Sequence, residues 1–159
     1  MNKRFMLTAA GAAATGIAGS ASAVIVNFTH ELDRWAGEHA WQVYSSNGAT
    51  VASMANVGGS LVYAGASSIS FVSNSASSIF GTITGNLDLA AGTYNVQMQD
   101  TYGDGWAWGS FVGSLAIGSG SASMPSGVST ASFNFSVVPA PGALALLGLA
   151  GLAGTRRRK

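Results

Sequence analysis

The feature that most restricts the fold of this chain is the alternation of apolar and polar side chains in short segments. Between residues 92 and 99 every second side chain is apolar, which is the pattern of a strand with one buried face. The same pattern predicts strands at 41–44 and 132–137. Shorter segments of the same kind predict further strands at 24–29, 49–54, 60–64, 68–73 and 79–84.

Turn-forming pairs such as Asn47-Gly48 and Gly58-Gly59 separate these segments. No window between them has the 3.6-residue apolar stripe of a helix, and many short strands at close spacing are typical of a sandwich or barrel. We therefore expect one all-β domain over 24–137, a single antiparallel β-sandwich of the jelly-roll type. Residues 109–132 are rich in Gly, Ser and Ala and predict only a weak strand with loops.

Charge is distributed unevenly along the chain. All six acidic residues lie between residues 31 and 104, with Arg34 as the only basic residue beside them, whereas the other six basic residues lie at the two ends. A nucleic-acid-binding surface needs Lys and Arg to neutralise phosphates, so we expect no nucleic-acid partner. The chain has no cysteine, which excludes disulfides and thiolate chemistry.

Residues 1–23 have the three parts of a secretory signal. Lys3 and Arg4 precede a short apolar stretch, and Ala21-Ser22-Ala23 places small residues before a cleavage point. We expect a signal helix that signal peptidase removes after Ala23. The alternative is an Ala/Gly-rich leader on a cytosolic protein.

Residues 138–159 form a second targeting segment. Pro139 and Pro141 precede an apolar run from 143 to 154, and a basic tail follows it with Arg156, Arg157, Arg158 and Lys159. A positive tail after an apolar helix stays in the cytoplasm, and the run is short for a membrane span. The segment resembles the PEP-CTERM sorting signal of exosortase systems, with Ala140 where the signature has Glu.

This resemblance implies export, transient anchoring in the inner membrane by a short transmembrane helix, and cleavage near the Pro motif by an exosortase-type enzyme. The protein would then be released to the cell envelope or the extracellular matrix. The alternative is an ordinary permanent C-terminal anchor. Either way, the domain between the two ends would lie outside the cytoplasm.

The most distinctive run in the domain is 100–109, directly after the predicted strand 92–99. Asp100 and Asp104 lie four positions apart with Gly103 between them, and Gly105-Trp106 follows. Carboxylate and carbonyl oxygens in a tight loop are ligands that Ca²⁺ accepts. The alternative is a structural turn in which the two carboxylates accept backbone N–H bonds and Trp106 packs over the sheet.

A second acidic run precedes the predicted strand at Trp41. If the sheet brings it beside 100–106, Glu38 and Asp33 would complete the oxygen shell of a metal site with Asp100 and Asp104. Arg34 could instead form an ion pair with one of the neighbouring carboxylates, namely Glu31, Asp33 or Asp104.

These two runs also resemble a secreted β-sandwich module of bacterial surface proteins, and faintly the CUB domains. The resemblance rests on Glu38-x-x-Trp41-x-Val43, on the strand from Leu87 to Tyr94, and on Asp100-x-Tyr102-Gly103-Asp104-Gly105-Trp106. It implies a CUB-like sandwich with an acidic cluster able to hold calcium, and no catalysis.

Four tryptophans lie near the acidic runs, and aromatic rings beside acids can stack on sugars. Trp35, Trp106 and Trp108 are therefore candidates for carbohydrate binding. The alternative places Trp41 and Trp106 in the core, with Trp35 and Trp108 partly exposed. The two histidines are expected at the surface near strand ends, and no nucleophile motif indicates an enzyme.

The sequence as a whole predicts an exported, non-enzymatic surface or matrix protein. Ca²⁺ is its candidate stabilising ion, and exopolysaccharide or another envelope component is its candidate partner. The alternative is a carbohydrate-binding module that uses the loops 31–41 and 100–108.

Overall fold

The computed structural model describes residues 23–76 and 78–138, and these form twelve strands and one short 3₁₀ helix. The described residues contain no α-helix. The strands are β1 (Val24–Asp33), β2 (His39–Ser45), β3 (Thr50–Val57), β4 (Ser60–Ala64), β5 (Ala66–Ser73), β6 (Ile79–Leu89), β7 (Gly92–Asp100), β8 (Ala107–Trp108), β9 (Phe111–Val112), β10 (Ser114–Ile117), β11 (Gly120–Ser123) and β12 (Thr130–Val137), with the 3₁₀ helix at Ala36–Glu38.

Ten of these strands form two antiparallel sheets of five strands each. The first sheet has the order β11-β10-β1-β6-β5, and the second has the order β12-β7-β2-β3-β4. Strands β8 and β9 form a separate hairpin. The prediction of an all-β, antiparallel domain is therefore confirmed.

The core lies between the two sheets, so the fold is sandwich-like. Inward-facing side chains of both sheets form one buried cluster, and Phe28 of β1 meets Trp41 of β2 edge to face at 5.9 Å between ring centroids. Each fully buried side chain of this size contributes about 1.5–3 kcal/mol relative to an exposed one. Packing of the two alternating faces therefore supplies most of the stabilisation.

The eight predicted strands are all present, and most extend beyond their predicted bounds. Two predictions need correction. Glu31 and Asp33 belong to β1 and not to a loop, so only 34–38 connect β1 with β2. The segment 109–132 was expected to contain one weak strand, but it contributes β10, β11 and half of the β8–β9 hairpin.

The predicted targeting segments lie outside the described residues, which begin at Ala23 and end at Val138. The expected signal helix, the C-terminal hydrophobic helix, and the sorting residues Pro139, Pro141 and Arg156–Arg158 are therefore not part of the described fold. Within the described part of the chain, no helix has the length and hydrophobicity needed for a membrane span.

Candidate functional site

Asp100 ends β7 and organises the loop that follows it. Its Oδ1 accepts the backbone N–H of Tyr102 at 3.2 Å, and its Oδ2 accepts those of Gly103 at 3.0 Å and Gly105 at 2.6 Å. The carboxylate is 3% exposed. Hydrogen bonds to a buried charged acceptor are stronger than neutral ones. Asp100 is therefore the structural centre of a tight turn, as one of the two interpretations of this loop predicted for it. The N–H bonds that the same interpretation predicted for the Asp104 carboxylate are not found among the described residues.

Three carboxylates meet at the rim of the sandwich beside this turn, and we call Glu38, Asp100 and Asp104 the acidic cluster. One oxygen from each lies within 4.8 Å of the others. The pairing of β2 with β7 produces this arrangement, because His39 lies opposite Asp100 and the backbone N–H of Thr101 donates to the carbonyl of Glu38 at 2.9 Å. The predicted approach of the two acidic runs is confirmed for Glu38.

The electrostatics of the acidic cluster favour a bound cation. The pKa of Glu38 is raised by burial and then by the charges of Asp100, Asp104 and Asp33. The pKa of Asp104 is also raised, by partial loss of hydration beside its neighbours and then by its contact with Asp100. Like charges at short distance disfavour the ionised form, and a divalent cation between them would remove that repulsion.

The number of free lone pairs allows such a cation. Oδ2 of Asp100 already accepts two N–H bonds, whereas Oδ1 accepts one and keeps a lone pair free. Ca²⁺ binds oxygens at about 2.3–2.6 Å, so oxygens within 4.8 Å of one another can share one ion. The three residues present therefore fit a calcium ion, with Glu38 and Asp104 as the more available ligands.

Asp33, the fourth predicted metal ligand, is not part of the acidic cluster. It is fully buried, and its Oδ1 accepts the backbone N–H of Trp35 at 2.8 Å and Nε2–H of His39 at 3.1 Å. The prediction of Asp33 as a ligand is corrected for this reason. Its Oδ2 has no hydrogen-bond partner among the described residues.

Asp33 instead ends a chain of buried hydrogen bonds that crosses between the sheets. Nδ1 of His30 lies 2.9 Å from the Tyr63 hydroxyl, and Nε2 of His30 lies 3.0 Å from Nδ1 of His39, which in turn reaches Asp33. Neutral imidazoles satisfy all these bonds when the donors point one way, from Tyr63 through both histidines to Asp33. We call these four side chains the histidine relay.

The expectation of surface histidines is wrong, because His30 is 0% and His39 is 1% exposed. Burial lowers the pKa of His30 far below its ordinary value, and the neighbouring His39 lowers it further. Burial also lowers the pKa of His39, although its hydrogen bond to Asp33 opposes this. Both imidazoles are therefore neutral members of the core at neutral pH.

The free energy of unfolding is expected to decrease as the pH falls below about 6.5, the ordinary pKa of histidine. Both folded pKa values are depressed, so the unfolded chain binds more protons in this range and stability is highest above it. The loss should approach about 1.4 kcal/mol per pH unit for each histidine that stays neutral when folded. Urea unfolding at pH 7.5, 6.5 and 5.5 measures it. Equal stability at all three values would contradict neutral buried histidines, and His30→Gln should flatten the slope.

Trp106 packs against one side of the histidine relay. It is fully buried, its ring stacks on His39 at 4.1 Å and 5° between planes, and its indole N–H donates to the carbonyl of Gln99 at 3.3 Å. No face of this ring is open to a sugar. The carbohydrate prediction is corrected for Trp106, whereas the prediction that Trp41 and Trp106 belong to the core is confirmed.

The other two tryptophans form an exposed aromatic pair beside Arg34. Trp35 is 47% and Trp108 is 43% exposed, as predicted, and their rings meet edge to face at 5.9 Å. The Arg34 guanidinium lies 5.8 Å from one ring centroid and 5.7 Å from the other. Among the described residues Arg34 has no carboxylate partner, so the predicted ion pair is replaced by cation–π contacts.

Comparison with known proteins gives no assignment. No protein-family model matches the chain, and no curated protein or solved structure matches it either.

Proposed function

We propose that this chain is an exported, non-enzymatic protein of the cell surface or extracellular matrix. One observation carries the proposal, namely the order of a positively charged apolar leader, an acidic β-domain, and a Pro-x-Pro, apolar and Arg-rich end. Signal peptidase would remove the leader, and an exosortase-type enzyme would cut near Pro139 and Pro141. The domain would be held at the inner membrane only until that cut.

Mass spectrometry of the exported protein tests this proposal. The intact mass should correspond to a chain that begins at Val24 and has lost the basic tail 156–159. Recovery of the exported protein with that tail attached would contradict C-terminal processing and favour a permanent anchor. Recovery of the uncut chain from the cytoplasm would contradict export itself.

Within sandwich folds we propose the jelly-roll or CUB-like class. In support, both sheets have five strands, and the chain passes between them five times, at β1–β2, β4–β5, β6–β7, β7–β10 (through the β8–β9 hairpin) and β11–β12. The acidic cluster lies at one rim of this sandwich, because Glu38 directly precedes β2 and Asp104 follows β7, and these two strands pair within the second sheet.

We also propose that Ca²⁺ stabilises the domain through the acidic cluster. A ligand that binds only the folded state adds about 2.7 kcal/mol when its concentration is 100 times its Kd. The melting temperature should therefore be higher in millimolar Ca²⁺ than in chelator. The variant Glu38→Ala/Asp104→Ala should lose this increase, whereas Asp88→Ala, which removes an exposed carboxylate of β6, should keep it. An unchanged melting temperature in the parent protein would contradict calcium binding.

A carbohydrate-binding module is the second candidate function. The aromatic pair favours it, because Trp35 and Trp108 bring the connection 34–38 and strand β8 together at the surface. Exposed indole rings next to a guanidinium offer one stacking surface and several donors for hydroxyl groups. The double variant Trp35→Ala/Trp108→Ala isolates this contribution in the binding experiment described below.

A further inference from the structure

The outer face of the second sheet contains a groove that does not include the acidic cluster or the aromatic pair. It crosses β12, β7, β2 and β3 and has a volume of about 660 Å³. This volume lies within the range of small-molecule and ligand sites, about 300–1,000 Å³. The polar side chains that line it include Gln42, Ser53, Gln97, Gln99, Thr130 and Ser132.

Strand register arranges these side chains in rows across the groove. Gln97 lies opposite Ser132 on one side and Gln42 on the other, and Gln42 lies opposite Ser53. Residues directly opposite in antiparallel strands have Cβ atoms about 4.5–5.5 Å apart. Four neutral hydrogen-bonding side chains therefore follow one another across four strands.

The next row mixes large and small side chains. Gln99 lies opposite Thr130 and Ala40, and Ala55 of β3 also lines the groove. The short alanines leave space beside the long glutamine side chain. The groove is therefore lined by short alanine side chains next to amides and hydroxyls.

The chemistry of the lining restricts the ligand. All thirteen lining residues are uncharged, so no group is present to pair with the charges of a polyanion or a polycation. Each glutamine amide offers two donors and one acceptor oxygen, and each hydroxyl offers a donor and an acceptor. Such a surface matches a ligand that presents many neutral groups able both to donate and to accept.

The geometry points to a binding site for an extended segment of an uncharged polysaccharide, which we propose lies in this groove. Hydroxyl groups along such a chain can bond with successive amides of Gln42, Gln97 and Gln99. The identification of the partner rests on the proposed function, since an exported domain meets polysaccharide outside the cell. The groove itself is independent of the calcium and tryptophan sites.

Affinity electrophoresis of the purified protein tests this site. Native gels contain increasing amounts of dextran, mannan, galactomannan or hydroxyethyl cellulose as neutral polymers, and alginate or dextran sulfate as anionic ones. We expect retardation by at least one neutral polymer and none by the anionic polymers. The variant Gln42→Ala/Gln97→Ala should weaken that binding about tenfold or more, because each lost hydrogen-bond partner reduces the affinity several-fold.

Two control variants separate this groove from the rest of the surface. Thr84→Ala removes an exposed hydroxyl from β6 of the first sheet and should bind like the parent. Trp35→Ala/Trp108→Ala should also bind like the parent, whereas loss of binding only in this variant would overturn the groove in favour of the aromatic pair. Equal melting temperatures of parent and glutamine variant exclude misfolding as the cause of weaker binding.

Three further results would overturn the proposal. The first is that none of the four neutral polymers retards the protein, and the second is that anionic polymers retard it equally. The third is a dimer in analytical ultracentrifugation that the glutamine variant abolishes. The last would make a second copy of the chain the occupant of the groove. Since this binding is measured on purified protein, its failure leaves the mass-spectrometric test of export unaffected.

Discussion

Replacing Asp100 with alanine is expected to lower the free energy of unfolding by roughly 3–5 kcal/mol. Its two carboxylate oxygens accept three backbone N–H groups from the loop that follows β7. The N–H of Gly105 is buried and costs about 1–3 kcal/mol when it is left without an acceptor, and the two half-buried bonds from Tyr102 and Gly103 to the charged carboxylate add about 1 kcal/mol each. The total stability of a domain is about 5–15 kcal/mol, so this one change would remove a large share of it.

Asp104→Ala is the matched control for this prediction. Asp104 belongs to the same acidic cluster, but it is exposed, and its removal should leave the stability in chelator close to that of the parent. Urea denaturation at pH 7.5 in EGTA measures both variants without any contribution from calcium. If the two variants lose the same small amount, the account of Asp100 as the centre of the turn is wrong.

Gly105→Ala should be as damaging, because the backbone at Gly105 leaves no room for a side chain. Its φ is +97°, and an added Cβ would lie 2.3 Å from the carbonyl oxygen of Pro125 and 2.9 Å from its carbonyl carbon. The next residue, Trp106, is fixed by a hydrogen bond to the carbonyl of Met124 at 2.9 Å. The two loop segments at Gly105-Trp106 and Met124-Pro125 therefore cannot separate easily, and we expect a loss of about 4 kcal/mol or more in the free energy of unfolding.

Gly103→Ala separates backbone strain from this steric clash. Gly103 has φ of +99°, nearly the value of Gly105, but an added Cβ would have no atom within 4 Å. An L-residue in this region costs about 1–2 kcal/mol. Urea denaturation of both variants should show a clearly larger loss in the free energy of unfolding for Gly105→Ala. Equal losses would mean that Pro125 moves away and relieves the clash.

The strands could be predicted where alternating side chains differ strongly in hydrophobicity. In β7 and β12 bulky apolar residues alternate with amides and hydroxyls, so the pattern itself identifies the buried face. In 109–132 the residues are mainly Gly, Ser and Ala, which have little contrast between the two faces. Leu115 and Ile117 are the only large buried side chains of β10, and two positions are too few to define a period.

The sequence could predict the acidic cluster only as a possibility, because the pairing of the strands determines whether its carboxylates lie close together. Glu38 reaches Asp100 since β2 pairs with β7 in the register that sets Trp41 opposite Met98, and alternation within one strand carries no information on register. The same limit explains Asp33. It lies close to Glu38 in sequence, yet the end of β1 turns it into the core, where His39 binds it.

The burial of both histidines of the relay has a signal in the sequence, although no motif contains them. His30 lies two residues from Phe28 and from Leu32, and His39 lies two residues from Trp41. Period two alone therefore places both imidazoles on buried faces. The part that the sequence could not predict is Tyr63. It lies on β4 of the second sheet and reaches His30 of the first sheet only because the two sheets pack face to face.

The one-way order of hydrogen bonds between Tyr63 and Asp33 also determines how the two sheets are aligned. Apolar side chains pack acceptably in several relative positions, and volume alone tolerates small offsets. His30 and His39 belong to different sheets, and their ring nitrogens lie 3.0 Å apart. A shift of one sheet by a single residue pair would break this contact and leave buried polar atoms without hydrogen-bond partners. The buried polar side chains thus select one relative position of the two sheets out of the several that apolar packing alone would permit.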